Sequence, residues 1–145
     1  MFKTVEEYER KILAAWEEVS KKGQLTFWIL LSLRVQPQHM LGMKKFIEKS
    51  TNSLLVADDK SMYRALRRLV QMDLIEYKEE ASKLGPSKKI YTLTEIGKNV
   101  LEKFINRNIT GIYFKPEIKS LLYNNNKGEK NGHTNSRRTK DTFNK

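Results

Sequence analysis

A chain of 145 residues can bury one modest core, and its 28 Lys and Arg against 17 Asp and Glu leave a formal charge of +11. That balance favours a polyanionic partner, nucleic acid first. The lack of cysteine excludes a disulfide framework, thiolate nucleophiles and thiolate zinc sites, and fits a reducing, cytoplasmic setting. No apolar run reaches the roughly 18 to 20 residues that span a bilayer, and the start MFKTVEEYERK has no apolar core of a secretory signal. A soluble protein with no membrane partner is therefore expected.

Thr4 followed by Glu7 has capping-box spacing. Val5, Tyr8, Ile12, Ala15 or Trp16, and Val19 then recur every three or four residues up to Lys22-Gly23, which predicts an amphipathic first helix over residues 1–23. Leu25 to Leu33 is apolar almost all round and stops before Pro37, so it reads as the buried central helix. A third helix is expected from Gln38 to Ser50, with Met40, Met43, Phe46 and Ile47 inward, then a turn rich in Ser, Thr and Asn. Asp58 or Asp59 can cap a fourth helix from Lys60 to Met72, whose Met62, Ala65, Leu66 and Leu69 face the core while Lys60, Arg64, Arg67 and Arg68 do not.

Leu74–Lys78 and Lys89–Leu93 alternate at period two around Gly85-Pro86, the pattern of a two-stranded hairpin with a long tip. Thr94 can cap a further helix striped by Ile96, Val100, Leu101, Phe104 and Ile105, followed by a short mixed segment to Tyr123. From Asn124 the composition is too polar to offset the entropy of ordering, and disorder is expected over 124–145. That tail holds six basic and two acidic residues, leaving +7 of the +11 on residues 1–123.

The fold class is therefore mainly α with a small β-hairpin: a winged helix-turn-helix over 24–94 with additional N-terminal and C-terminal helices, the latter over 95–123. In that order of elements the last of three helices enters the major groove and the hairpin reaches neighbouring backbone. The candidate DNA-binding residues are Lys60, Ser61, Tyr63, Arg64, Arg67 and Arg68 on the helix and Lys83, Ser87, Lys88 and Lys89 on the wing. Arg can read guanine bidentately, while Lys, Ser and Tyr suit phosphate. Arg67 and Arg68 could equally be a solvated face, Ser61 a cap, and Tyr63 a packing residue.

Ser61-Met-Tyr63-Arg-Ala-Leu66-Arg-Arg-Leu69, then Asp73-Leu74-Ile75, then Gly85-Pro86-Ser87-Lys88-Lys89-Ile90-Tyr91-Thr92-Leu93-Thr94-Glu95-Ile96-Gly97 resembles the PadR family of transcriptional regulators. The resemblance covers Leu25 to Ile105 and departs from the family pattern twice. Asp73 stands where Gly is usual, and Met40-Leu41 follows Pro37-Gln38-His39 where Gly-Tyr is common. Asp tolerates the left-handed backbone such a site needs. The resemblance implies a DNA-binding repressor, a homodimer joined through its terminal helices, and a small hydrophobic effector near the dimer interface. Tyr8, Ile12, Trp16, Val100, Leu101, Phe104 and Ile105 are the candidate dimer contacts, since so small a core cannot hide both stripes. Trp16 and Trp28 are candidates to line an effector pocket, or else are core aromatics.

His39 sits among core residues and reads as structural, His133 lies far from it, and Asp58-Asp59 reads as a cap, so no metal is expected. No Gly-rich phosphate loop, HExxH or catalytic triad is present, so neither an enzyme nor a cofactor is expected. The competing reading is a winged-helix module for protein–protein interaction or assembly without sequence-specific DNA binding.

Overall fold

The computed structural model describes residues 4–131, with side chains through Tyr123. The described chain falls into two compact units that divide between Leu101 and Glu102.

The first unit begins with α1 (Val5–Lys21), where Thr4 Oγ1 accepts the Glu7 N–H at 3.1 Å and no residue of the helix is buried. Gly23, in the left-handed conformation at φ 83°, turns the chain into α2 (Gln24–Val35). α2 is the core helix expected from its composition, burying Ile29, Leu30 and Leu33. Its buried Ser32 hydroxyl donates to the Ile29 carbonyl at 2.7 Å, so no polar group is stranded there.

α3 (Met40–Ser50) starts two residues after the expected Gln38. Gln38 is taken by the sheet: its N–H donates to the Tyr91 carbonyl at 3.0 Å and its carbonyl accepts the Tyr91 N–H at 2.8 Å. His39 is the cap instead, its Nδ1 accepting the Gly42 N–H at 3.3 Å, which is the structural role read for it. Asp58 caps α4 (Asp59–Gln71), which buries Met62, Ala65, Leu66 and Leu69 as its periodicity requires.

α4 ends in a Schellman motif. The Asp73 N–H donates to the Val70 carbonyl and the Leu74 N–H to the Leu69 carbonyl, both at 3.0 Å, with Asp73 at φ 61°. Asp therefore does what Gly does at this place in the family pattern, at the steric cost of a Cβ. β1 (Ile75–Glu80) and β2 (Lys88–Leu93) pair antiparallel from Ile75 opposite Leu93 to Glu80 opposite Lys88. Ile75, Tyr91 and Leu93 at the base join the core, and the rest of the hairpin projects as a wing.

Thr94 links the wing to α5 (Glu95–Phe104): its hydroxyl accepts the Gly97 N–H at 2.9 Å and donates to the Asp73 carbonyl. The first unit extends past the boundary expected at Thr94 because the start of α5 packs on it, with Gly97 against Leu74 and Leu101 only 2% exposed. Leu101 is thus a core residue of the first unit and not part of an outward stripe, which corrects its place among the dimer candidates. Val100 and Phe104 are exposed and Ile105 is half-buried.

The second unit holds the end of α5, a π-helical segment (Ile105–Thr110), the single turn α6 (Gly111–Tyr113) and α7 (Pro116–Asn131). Pro116 occupies the first position of α7, where its fixed φ suits the helix and its missing N–H costs nothing. The helix runs on past Tyr123, where disorder was expected to begin. Composition measures what a segment can bury, whereas a nucleated helix lengthens by one backbone bond per residue without burial. The remainder of the expected tail, His133 included, lies outside the described residues. Among the described residues no helix is long and apolar enough to cross a membrane, and no group of His, Asp and Glu is placed to hold a metal.

Candidate nucleic-acid interface

The outer face of α4 follows from its period. With Met62, Ala65, Leu66 and Leu69 inward, positions 60, 64 and 67 must point directly away from the core, with Tyr63 on one flank and Arg68 on the other. Lys60, Tyr63, Arg64, Arg67 and Arg68 are all exposed and Ser61 is half-buried. Ser61 is not the cap. Its N–H is the group capped, donating to Asp58 Oδ1 at 2.7 Å.

The first turn of this helix also carries negative charge. The Ser61 backbone N–H, then the Ser61 side chain, and then the nearby Arg64 and Lys44 charges hold the Asp58 carboxyl below its ordinary value. Lys44 on α3 reaches Asp59 Oδ1 at 2.6 Å. Sequence reading left Lys44 without a role, since its partner lies on the next helix. The pair cancels one of the two carboxylates that would otherwise face an incoming phosphate.

The wing is less basic than its lysines suggest. In the register observed, Glu79 stands opposite Lys89 and Glu80 opposite Lys88, and alternation sends Lys88 and Lys89 to opposite faces. Lys89 Nζ lies 4.5 Å from the centroid of the Tyr77 ring, a cation–π contact, and the Tyr77 and Tyr91 rings are 5.6 Å apart. The Ser87 hydroxyl faces Glu79 Oε2 at 3.5 Å. Of the four wing residues singled out, Lys83 and Lys88 are exposed without a ring or hydroxyl engagement of this kind, while Lys89 and Ser87 are engaged within the wing.

α4 and the wing meet in a groove of about 440 Å³. Tyr63 forms one wall, Ser87 to Lys89 and Tyr91 another, and His39 to Leu41 at the start of α3 the floor. Burial, then the neighbouring Tyr77 and Tyr63, raise the Tyr91 hydroxyl above its ordinary value. The groove is held by Gln38, which bonds β2 through its backbone and the Ser32 carbonyl of α2 through its side chain at 2.7 Å. Tyr63, read from sequence as either a DNA contact or a packing residue, is 54% exposed and lines the groove.

A second groove, of about 430 Å³, lies among α1, α2 and the turn after α3, with Trp28 in its wall. Trp28 also packs against Phe27 and Phe46 at centroid distances of 5.7 and 6.5 Å. Trp16 does not line it and is 71% exposed on α1, so the two tryptophans do not form one pocket within the protomer.

Helices α2 to α4 followed by a hairpin, with a cationic outer face on the last helix, define a winged helix-turn-helix protein. Residues 29–103, just over half the chain, match the model of the PadR-like family of transcriptional regulators. The chain belongs to that family. A PadR-like transcriptional regulator from Bacillus cereus is 27% identical, over 70% of this chain and 94% of that one, with a TM-score of 0.55. A PadR family regulator from Eggerthella lenta shares the fold at 19% identity, over 69% of this chain and 85% of that one, with a TM-score of 0.60. Bacillus subtilis PadR, solved in complex with operator DNA, shares it at 23% identity, over 56% of this chain and 46% of that one, with a TM-score of 0.52. No curated protein sequence matches the chain.

Proposed function

We propose that this regulator binds DNA in a sequence-specific manner as a homodimer on a palindromic operator and represses transcription from it. The observation that carries the reading is the exposed cationic face of α4, Lys60, Arg64 and Arg67, on the helix whose Tyr63 lines one groove with the wing residues Ser87 to Lys89. In this reading Arg64 reads a base edge, and Lys60, Lys83 and Lys88 contact phosphate. The solved operator complex of the Bacillus subtilis relative supports it by analogy of fold.

Dimerisation is supported by α1, whose Tyr8, Ile12 and Trp16 are at least half exposed on a helix with no buried residue. Relief by a small hydrophobic effector belongs to the same reading, and the groove beside Trp28 is the concavity that supports it.

The test is selection of duplexes from a random pool by the full chain at physiological salt, where non-specific binding is weak. One palindromic motif is expected, with half-sites about one helical turn apart. Arg64→Ala should then lose about 1–3 kcal/mol of preference for the selected site over a scrambled one. Recovery of unrelated sequences would favour the assembly-module reading instead.

A further inference from the structure

The tip of the wing contains a side chain that neither the fold nor the basic face explains. Leu84 is 97% exposed, against 73% for Val5, the next most exposed large apolar residue among those described. Leucine is among the side chains most often buried, and Leu84 stands clear of the core. Resting on the DNA-binding reading above, we propose that Leu84 is a minor-groove wedge: the tip enters the minor groove beside the half-site read by α4, and the isobutyl group presses on a deformable, A·T-rich step there.

Charge selects the partner. Below the tip, Glu79 and Glu80 face Lys89 and Lys88 across the hairpin, but from Ala81 to Ser87 the only charged residue is Lys83. The tip therefore carries one cation beside one apolar group and no carboxylate of its own, while Glu79 below it reaches the Ser87 hydroxyl at 3.5 Å. The minor groove offers the matching surfaces, with deep negative potential at narrow A·T tracts and base steps that open to Leu, Ile or Pro. A protein partner needs roughly 800 Å² on each side, far more than one leucine supplies.

Shape and reach agree. Apart from Lys83 and Pro86, the residues around Leu84 are small (Ala81, Ser82, Gly85 and Ser87), and Gly85 at φ 150° with Pro86 sets the bend of the tip, which suits entry to a groove about 6 Å wide. β1 is 6 residues long, so at about 3.4 Å per residue the tip stands roughly 20 Å from the hairpin base. Neighbouring major and minor grooves lie about half of a 34 Å turn apart, roughly 17 Å.

The experiment is parallel selection from one random pool with the wild-type full chain and with Leu84→Ser, followed by titration of the recovered duplex and of one whose flanks are changed to G·C. Leu84 is so exposed that the variant keeps the fold, which circular dichroism checks. Both proteins should recover the same inner half-site. Only the wild type should also select A·T or pyrimidine–purine steps about half a turn outside it, and Leu84→Ser should weaken binding of the A·T-flanked duplex about five- to tenfold. The G·C-flanked duplex should bind both alike, and the salt dependence should not move, because no charge is removed. Identical flank preferences and affinities within twofold would overturn the wedge while leaving DNA binding intact. A pool that yields no motif with either protein would overturn the DNA-binding reading, and the wedge with it.

Discussion

A methyl group on Gly97 would overlap the Leu74 carbonyl oxygen, and that oxygen is not free to move. It accepts the Thr94 N–H at 3.1 Å, while the Leu74 N–H is held by Leu69 at the end of α4. The close approach of α5 to the loop before β1 thus depends on the absence of a Cβ at this one position. Gly97→Ala is expected to cost at least the 1–3 kcal/mol typical of overpacking, measured by urea denaturation. Gly23→Ala is the contrast. Its Cβ would meet nothing within 4 Å, and at φ 83° its cost is the roughly 1–2 kcal/mol of left-handed backbone alone. Equal losses would mean that the contact with Leu74 carries no energy of its own. The Thr94-x-x-Gly97 pattern was visible in the sequence as a family signature, but its cause was not, because Leu74 lies 23 positions away and meets Gly97 only in the fold.

At the scale of elements, the wing is where local and long-range information part. Its two strands are legible from period-two alternation, and so are its lysines. That Glu79 and Glu80 stand against Lys89 and Lys88 depends on register, which a loop of seven residues between the strands leaves open to sequence reading. The carboxylates should repel the phosphates that the lysines attract. Replacing both, Glu79→Gln with Glu80→Gln, is expected to tighten binding to cognate and scrambled duplexes alike and to steepen the salt dependence by about 0.9 for each further phosphate neutralised. Fluorescence anisotropy across a salt series measures both quantities, and unchanged affinity would show that the wing stays clear of the backbone. α4 presents the opposite case: its buried face and cationic face were legible and its cap was narrowed to Asp58 or Asp59, because each is set by residues within four positions of one another.

For the molecule as a whole, α1 is the element that the fold of the single chain does not account for. Its 17 residues include none that is buried, and Val5, Tyr8, Ile12, Trp16 and Val19 are between 50% and 73% exposed. A stable interface of about 800 Å² per partner would cover such a stripe. Ile12→Glu with Trp16→Glu should therefore leave the helical content intact and convert a dimer to a monomer in sedimentation equilibrium. A wild-type chain that sediments as a monomer at micromolar concentration would remove dimerisation from the proposed function. A monomer that has lost its palindromic preference while keeping weak binding to single half-sites would support it, since two recognition helices are needed to read both halves.

The amino-acid sequence by itself determined the order of elements, the burial of α2, the inward face of α4, the caps at Thr4 and Thr94, and the tolerance of Asp73 for a left-handed turn. All of these rest on interactions that reach no further than a turn of helix or a step of strand. Only the tertiary structure decided that Gln38 joins the sheet and moves the start of α3 to His39, that Lys44 answers Asp59, that Lys89 lies over Tyr77, and that Leu101 faces the core. The physical reason is the same in each case. A side chain's period is a property of its own helix or strand, but its partner is chosen by how separate elements pack, and packing is a property of the whole core.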